Sequence, residues 1–124
     1  MQETKAQMAV LTDELYRPPG YHAVFSDAIK KGYSGVGIYS KQEPEKVIDC
    51  LGWECADTEG RYIQVDVGDL SVVSLYLPSG SSGDERQAKK IEFMHHYREI
   101  LAEQLQSGRQ YIVCGDWNIV HKEI

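Results

Sequence analysis

The longest regular pattern in this sequence is helical and lies between two apolar segments. Five apolar side chains recur at intervals of three and four residues: Ile91, Met94, Tyr97, Leu101 and Leu105. Because 3.6 residues per turn bring such positions onto one face, the pattern predicts a helix over about 85–107 with this stripe facing the core. Ser82 and Glu85 fit a capping box at its start, and Gly108 supplies the end.

The segments on either side of this helix have the character of buried strands. Residues 70–77 are nearly continuously apolar, which predicts a strand covered on both faces, and residues 111–114 repeat that pattern. Residues 61–67 and 70–77 flank Gly68 and Asp69, a connection typical of a tight hairpin.

Two further elements are predicted in the first third of the chain. Residues 21–25 and 35–39 are short β-branched and aromatic runs, which we interpret as adjacent antiparallel strands. Residues 6–17 carry a modest helical signal that Pro18 and Pro19 terminate. Strands covered by helices predict an α/β or α+β fold with mixed sheets.

Composition indicates a single soluble domain. The 124 residues carry 13 Lys plus Arg against 19 Asp plus Glu, a formal charge of -6. No apolar run approaches the about 18 residues of a membrane span, so no membrane partner is expected. Three sparse cysteines favour a reducing compartment, and we expect a cytoplasmic protein. The acidic balance argues weakly against nucleic acid, because carboxylates that bind divalent cations would also produce it.

Polar side chains follow the ends of two predicted buried strands. Asp116 and Asn118 lie two residues apart, so they point the same way, although the pattern alone favours an Asx-turn at the strand exit. Tyr76 ends the other strand, either as a core residue or as a donor to a phosphate oxygen. With Glu3 near the start of the chain, these side chains could converge on one rim of the sheet.

Five short motifs carry a resemblance to a known family. In order, they are QETK at 2–5, GYSGV at 32–36, EGR at 59–61, SLYLPSG at 74–80 and GDWNI at 115–119. Together they resemble the bacterial exonuclease III branch of the endonuclease/exonuclease/phosphatase superfamily. The resemblance implies a four-layered α/β sandwich of the DNase I-like fold. Since family members are about twice as long, we interpret residues 1–124 as a single incomplete domain that is cut at both ends.

The resemblance also implies a role for each candidate residue. Glu3 would be the carboxylate that binds the catalytic metal, normally Mg²⁺ with Mn²⁺ as an alternative. Tyr76 would contact the scissile phosphate, Asp116 would activate the attacking water, and Asn118 would orient the phosphate. These roles suit a phosphodiester, whose negative charge must be neutralised before water can attack it.

The implied function is that of a DNA-repair nuclease. Such an enzyme hydrolyses phosphodiesters at abasic sites and at 3′ ends of duplex DNA. We expect the chain by itself to have little or no activity, because the family's remaining site residues have no counterpart in it, and to self-associate through exposed sheet surface. Two alternatives stay open: another phosphodiesterase or phosphatase of the same fold, or a non-catalytic remnant.

Overall fold

A computed structural model describes residues 1–8, 11, 16–80 and 83–119. The elements follow one another as β1 (His22–Ser26), β2 (Val36–Ser40), β3 (Lys46–Ile48), α1 (Glu54–Thr58), β4 (Tyr62–Val67), β5 (Leu70–Tyr76), α2 (Asp84–Gln106) and β6 (Gln110–Asp116). Half of the predicted helix over 6–17, residues 9–10 and 12–15, lies outside the described residues, and the described half is not helical. None of the described helices is long and apolar enough to cross a membrane.

The strands form two sheets. Strands β1 and β2 pair as an antiparallel hairpin, and the other four lie in the order β3-β4-β5-β6. Within the larger sheet β4 is antiparallel to both β3 and β5, whereas β5 and β6 are parallel. The predicted mixed α/β architecture is confirmed, and the predicted strands lie within about one residue of the observed ones at most ends.

Helix α2 connects the two parallel strands of the larger sheet. A parallel pair cannot be joined by a tight turn, so the chain crosses over through the 23 residues of α2 before it returns as β6. The helix covers β5, and the two form most of one buried cluster: Ala56, Tyr62, Val73, Leu75, Leu77, Phe93 and Tyr97. This crossover brings the carboxyl ends of β5 and β6 to the same edge of the sheet.

The predicted buried face of α2 is wrong by about one residue. Of the predicted stripe only Tyr97 is buried, while the helix buries Lys90, Phe93 and Gln104 with it. Leu105 is 85% exposed. The helix carries apolar residues on two adjacent stripes, and the stripe with Phe93 wins because its ring packs edge-on against Trp53, with centroids 5.3 Å apart.

The predicted capping box at the start of α2 is also wrong. The helix begins at Asp84, and its N-cap is Gly83, which makes no side-chain cap hydrogen bond. Asp84 and Glu85 in the first turn still interact favourably with the positive end of the helix dipole. Ser82 itself lies outside the described residues.

The first five residues lie against β2 and its preceding loop. Gln2 forms a bridge with Val36, and the N–H groups of Thr4 and Lys5 donate to the carbonyls of Gly35 and Ser34 at 3.1 and 2.6 Å. Gly35 has a φ of +93°, and a Cβ there would overlap the Thr4 hydroxyl. A residue without a side chain is therefore required where this segment approaches the loop.

Candidate active site

Tyr76 and Asp116 are the last residues of neighbouring parallel strands. Tyr76 pairs with Asp116 in the β5–β6 register, and Leu77 continues the pairing by donating its N–H to the carbonyl of Asp116 at 2.9 Å. Beyond this point both chains leave the sheet as loops. The two predicted site residues are thus neighbours at one edge, since the carboxyl ends of parallel strands meet there.

Asn118 joins this edge through two hydrogen bonds. Its N–H donates to Asp116 Oδ1 at 3.0 Å, and its Nδ2 donates to the carbonyl of Leu77 at 2.8 Å. The first bond is the Asx-turn that sequence reasoning left open, and the φ of Asn118 is +50°. The turn occupies one of the two carboxylate oxygens of Asp116, whose side of the strand is exposed.

A buried lysine holds the loop that carries Asn118. Lys90 of α2 is only 8% exposed, and its Nζ donates to the main-chain carbonyl of Asn118. Lys90 and Gln87 line one side of a cleft of about 670 Å³, with Asp116 and Asn118 on the other. Helix α2 therefore holds the loop through Lys90, while the Asp116 carboxylate stays open to the cleft.

Glu3 reaches the same region from the first segment of the chain. Its carboxylate forms an ion pair with the Nζ of Lys5 at 3.0 Å, and the pair is largely exposed to solvent. The pKa of Lys5 is raised, first by its hydrogen bond to Glu3 and then by the Glu3 charge. Both residues have positive φ, +57° and +50°, so the segment is held in an uncommon conformation.

Electrostatics link these side chains to one another. The pKa of Tyr76 is raised, mainly by burial and then by the negative charge of Glu3, with a further contribution from Asp116. Arg61 opposes the shift. Two predicted site carboxylates therefore act on the predicted phenol. Strand pairing and the Asx-turn hold Tyr76, Asp116 and Asn118 at one edge, and Glu3 acts on Tyr76 from the first segment.

Sequence reasoning missed a further member of the site, Arg61. Its side chain is buried, and its guanidinium donates to the Glu59 carboxylate, the Tyr33 hydroxyl and the Tyr76 carbonyl at 2.6, 3.0 and 3.2 Å. An arginine directly before an apolar strand is the signal that could have marked it, because a buried charge requires dedicated partners.

Glu59 connects this arginine to helix α2. It accepts hydrogen bonds from Arg61 and from Lys89 Nζ. Burial alone would raise the pKa of Glu59, but the hydrogen bonds from Lys89 and Arg61 outweigh it, and the net pKa is lowered. A cavity of about 210 Å³ opens beside this group, and cationic and phenolic side chains line much of it: Tyr33, Arg61, Tyr76, Arg86 and Lys89.

The donor chemistry at the rim suits a hard cation bound with few protein ligands. Among the described residues no group of three His, Cys, Asp or Glu side chains could hold a metal ion. Mg²⁺, however, usually keeps several waters and takes one or two carboxylates together with substrate phosphate. The open carboxylate of Glu3 fits that mode, provided that Lys5 gives up its ion pair.

The sequence matches one family over its whole length. Residues 1–124 match the Endonuclease/Exonuclease/phosphatase family. The chain is 37% identical over 127 residues to an exodeoxyribonuclease of Bacillus subtilis (strain 168), covering 100% of this chain and 48% of that protein. It is 31% identical over 126 residues to a DNA-(apurinic or apyrimidinic site) endonuclease of Dictyostelium discoideum, covering 100% of this chain and 34% of that protein. The chain thus spans about half the length, or less, of the curated relatives it matches.

Solved structures give the same picture. An AP endonuclease from Archaeoglobus fulgidus superposes with a TM-score of 0.77 at 31% identity, covering 98% of this chain and 47% of that one. A 3′-5′ exonuclease from Neisseria meningitidis has the same fold, with a TM-score of 0.82 at 24% identity over 95% of this chain and 46% of that one. The predicted family resemblance and the predicted DNase I-like α/β fold are both confirmed.

Proposed function

This chain belongs to the endonuclease/exonuclease/phosphatase family, and we propose that its protein is a Mg²⁺-dependent DNA-repair nuclease. The substrates would be phosphodiesters at abasic sites and at 3′ ends of duplex DNA. The observation that carries the proposal is the register of Tyr76 against Asp116, with Asn118 bonded to Asp116 and Glu3 close enough to raise the pKa of Tyr76. The names of the relatives, an exodeoxyribonuclease and AP endonucleases, support the same substrate class.

Glu3 is the proposed ligand of the metal, with Mn²⁺ as an alternative to Mg²⁺. A bound divalent cation would neutralise charge on the phosphoryl oxygens. The ion pair with Lys5, at 3.0 Å, restrains the Glu3 carboxylate before the cation binds. Lys5 then becomes available to a phosphate oxygen or to solvent.

Asp116 is the proposed general base. Its Oδ1 accepts the Asn118 N–H, which fixes the plane of the carboxylate, and its second oxygen can accept a proton from the attacking water. Its place at the end of β6 leaves the carboxylate open to the 670 Å³ cleft, where a phosphate and a water could be held together. A base of this kind must be within hydrogen-bond reach of the water it deprotonates.

Tyr76 and Asn118 are the proposed donors to the phosphate. The raised pKa of Tyr76 keeps its phenol protonated at neutral pH, so the hydroxyl can donate to an oxygen that gains charge in the transition state. Asn118 uses one amide N–H for the carbonyl of Leu77, and an amide has a second N–H to offer. Both donors are held in place by the sheet edge before substrate arrives.

The test is cleavage of a synthetic abasic-site duplex with and without Mg²⁺. The chain is assayed alone and mixed with a separately made polypeptide that carries the other half of a family domain. We expect little or no activity from the chain alone and Mg²⁺-dependent cleavage from the mixture, lost in Glu3→Ala and Asp116→Ala. Absence of cleavage by a mixture whose two parts are folded and associated would contradict the proposal.

A second candidate is another phosphodiesterase or phosphatase of the same fold. The net charge of -6 favours it, because proteins that bind DNA through its phosphates usually present a basic surface. Undamaged duplex and inositol phosphates, assayed beside the abasic duplex, discriminate the two. A non-catalytic remnant would cleave none of them.

We also propose that the protein is cytoplasmic. The free, exposed cysteines Cys50 and Cys114 support this, because exposed thiols persist in a reducing compartment.

A further inference from the structure

The guanidinium of Arg61 lies close to two phenol rings. Its central carbon is 5.1 Å from the ring centroid of Tyr76 and 5.6 Å from that of Tyr33. Both distances are within the about 6 Å range in which a cation is attracted to the face of an aromatic ring. Because the arginine is only 2% exposed, little water competes for these faces.

Hydrogen bonds fix the orientation of this guanidinium. Nε donates to Glu59 Oε2 at 2.6 Å, Nη1 to the Tyr76 carbonyl at 3.2 Å and Nη2 to the Tyr33 hydroxyl at 3.0 Å. All three nitrogens of the planar group are thus engaged, in three different directions. The plane of the guanidinium is set by its partners rather than by its own flexible stem.

The buried charge of Arg61 depends on its partners. Arginine stays charged in proteins, and a buried charge must keep its counterion and its hydrogen bonds. Glu59 supplies the counterion and is itself tied to Lys89 of α2. The group therefore joins the loop with Tyr33, the start of β4, the end of β5 and helix α2 at one point.

We propose that Arg61 is a positioning residue that holds the ring of Tyr76 in place at the candidate site. The inference rests on the proposed function, because Arg61 affects the reaction only if Tyr76 contacts the phosphate. Arg61 fixes the strand end through the Tyr76 carbonyl and the ring through its face. Tyr33 contacts the same guanidinium through its ring and accepts a hydrogen bond from it, which restrains the group further.

Two substitutions separate charge from shape. Arg61→Gln removes the cation, whereas Arg61→Lys keeps a cation but loses the planar fork and its simultaneous bonds. Neither variant can satisfy Glu59, Tyr33 and Tyr76 at once. Arg109→Gln is the matched control, because Arg109 bonds Ser71 and Gly68 and pairs with Asp66 at the opposite end of the same sheet.

The measurement is ¹⁹F NMR of the chain labelled with 3-fluorotyrosine, which reports on each of the eight tyrosines. Resonances are assigned by single Tyr→Phe variants. Both Arg61 variants should shift the Tyr76 and Tyr33 resonances and leave those of Tyr62 and Tyr97, which lie in the core. Arg109→Gln should leave Tyr76 and Tyr33 unchanged.

Two results would overturn the proposal. One is an unchanged Tyr76 resonance in a folded Arg61 variant. The other is a common shift of all the tyrosines, which indicates general structural damage. If neither Arg61 variant folds, Tyr33→Phe provides the test: it removes one bond to the guanidinium and keeps the ring, so Tyr76 should shift by a smaller amount, and an unchanged Tyr76 resonance contradicts the proposal.

Activity supplies a separate readout in the mixed, two-part nuclease. Arg61→Lys should lower kcat more than it changes KM, because a displaced phenol loses its contact in the transition state. An equal loss for Arg109→Gln would contradict a specific role for Arg61. If the NMR shifts appear but no mixture cleaves DNA, the proposed function fails while the positioning of Tyr76 by Arg61 stands.

Discussion

Tyr76 and Asp116 are paired in register at the point where the parallel strands β5 and β6 end. Side chains directly opposite each other on adjacent strands are the closest pairs that a sheet offers. The crossover through α2 creates this pair, because it returns the chain parallel to β5. A phenol and a carboxylate are thereby held at one edge by backbone pairing, without any direct bond between them.

The first prediction concerns these two residues in the mixed, two-part nuclease. Asp116→Asn should lower kcat about 10²- to 10⁴-fold, the usual contribution of a general base. Tyr76→Phe should lower it about 10²-fold, as expected for loss of one donor to a developing charge. Steady-state cleavage of abasic duplex measures both. Tyr21→Phe and Asp69→Asn, which change exposed residues elsewhere, should keep full activity.

The second prediction concerns the lysine beneath the Asn118 loop. Lys90→Met keeps the apolar stem but removes the donor to the Asn118 carbonyl. We expect faster hydrogen exchange of the Asn118 amide and a loss of kcat. The free energy of unfolding should change by only about 1 kcal/mol. Burying the ammonium costs it its hydration, and this cost offsets much of what its hydrogen bond contributes. NMR exchange and urea titration measure these effects. Lys46→Met, on exposed β3, should leave Asn118 exchange unchanged, and slow exchange in Lys90→Met would contradict the role.

The third prediction is a pH dependence of stability through Glu59. Its pKa in the folded protein is lowered from the usual 4.5, so its stabilising contribution is fully present above that pH. The contribution is lost as the pH falls through the folded value. Glu59→Gln should lower the urea midpoint at pH 7. Below about pH 4.5 the midpoint of this variant should decrease less with falling pH than that of the wild type. Glu99→Gln, on the exposed face of α2, should reproduce the wild-type curve, and a wild-type curve for Glu59→Gln would contradict the assignment.

The sequence was sufficient to predict five of the six described strands and the extent of α2, because their signals are local. The hairpin around Gly68 and Asp69 and the apolar runs on either side of α2 need no information from distant residues. Strand β3, with three residues, and helix α1, with five, carry too little periodicity to be recognised. The sequence predicted the length of α2 but not which of its faces is buried, because two adjacent stripes are both apolar.

The candidate site also contains residues that local sequence signals mark and residues whose partners are distant in the sequence. Tyr76, Asp116 and Asn118 could be selected because strand ends mark positions where side chains leave the sheet. The position of Arg61 before an apolar strand could mark it as buried, but its partners could not be predicted, since they come from a loop, from the end of α1 and from the end of β5. Such a cluster exists only once the chain has folded. No single segment of the sequence contains it.

The fourth prediction isolates steric fit from backbone conformation at a glycine. Gly60 lies between Glu59 and Arg61, with a φ of +59°, and a Cβ there would be 2.6 Å from the carbonyl carbon of Asp27. Gly68 has the same φ of +59° and open space around it. Gly68→Ala should therefore cost about 1 kcal/mol through conformation alone, and Gly60→Ala clearly more. Urea denaturation measures both, and equal costs would contradict the close packing at Gly60.

The fifth prediction concerns the apolar side chains that α2 leaves exposed. Ile91, Met94 and Leu101 line a cleft of about 380 Å³ with Trp117. In the described part of the chain β6 is an edge strand, and Ile112 on it is 50% exposed. An open edge beside an apolar cleft favours pairing with a second copy, so light scattering should show a mass that grows with concentration.

Met94→Glu should shift the chain toward the monomer, whereas Ala88→Glu adds the same charge outside the cleft and should not. A wild-type chain that stays monomeric at all concentrations would contradict this prediction.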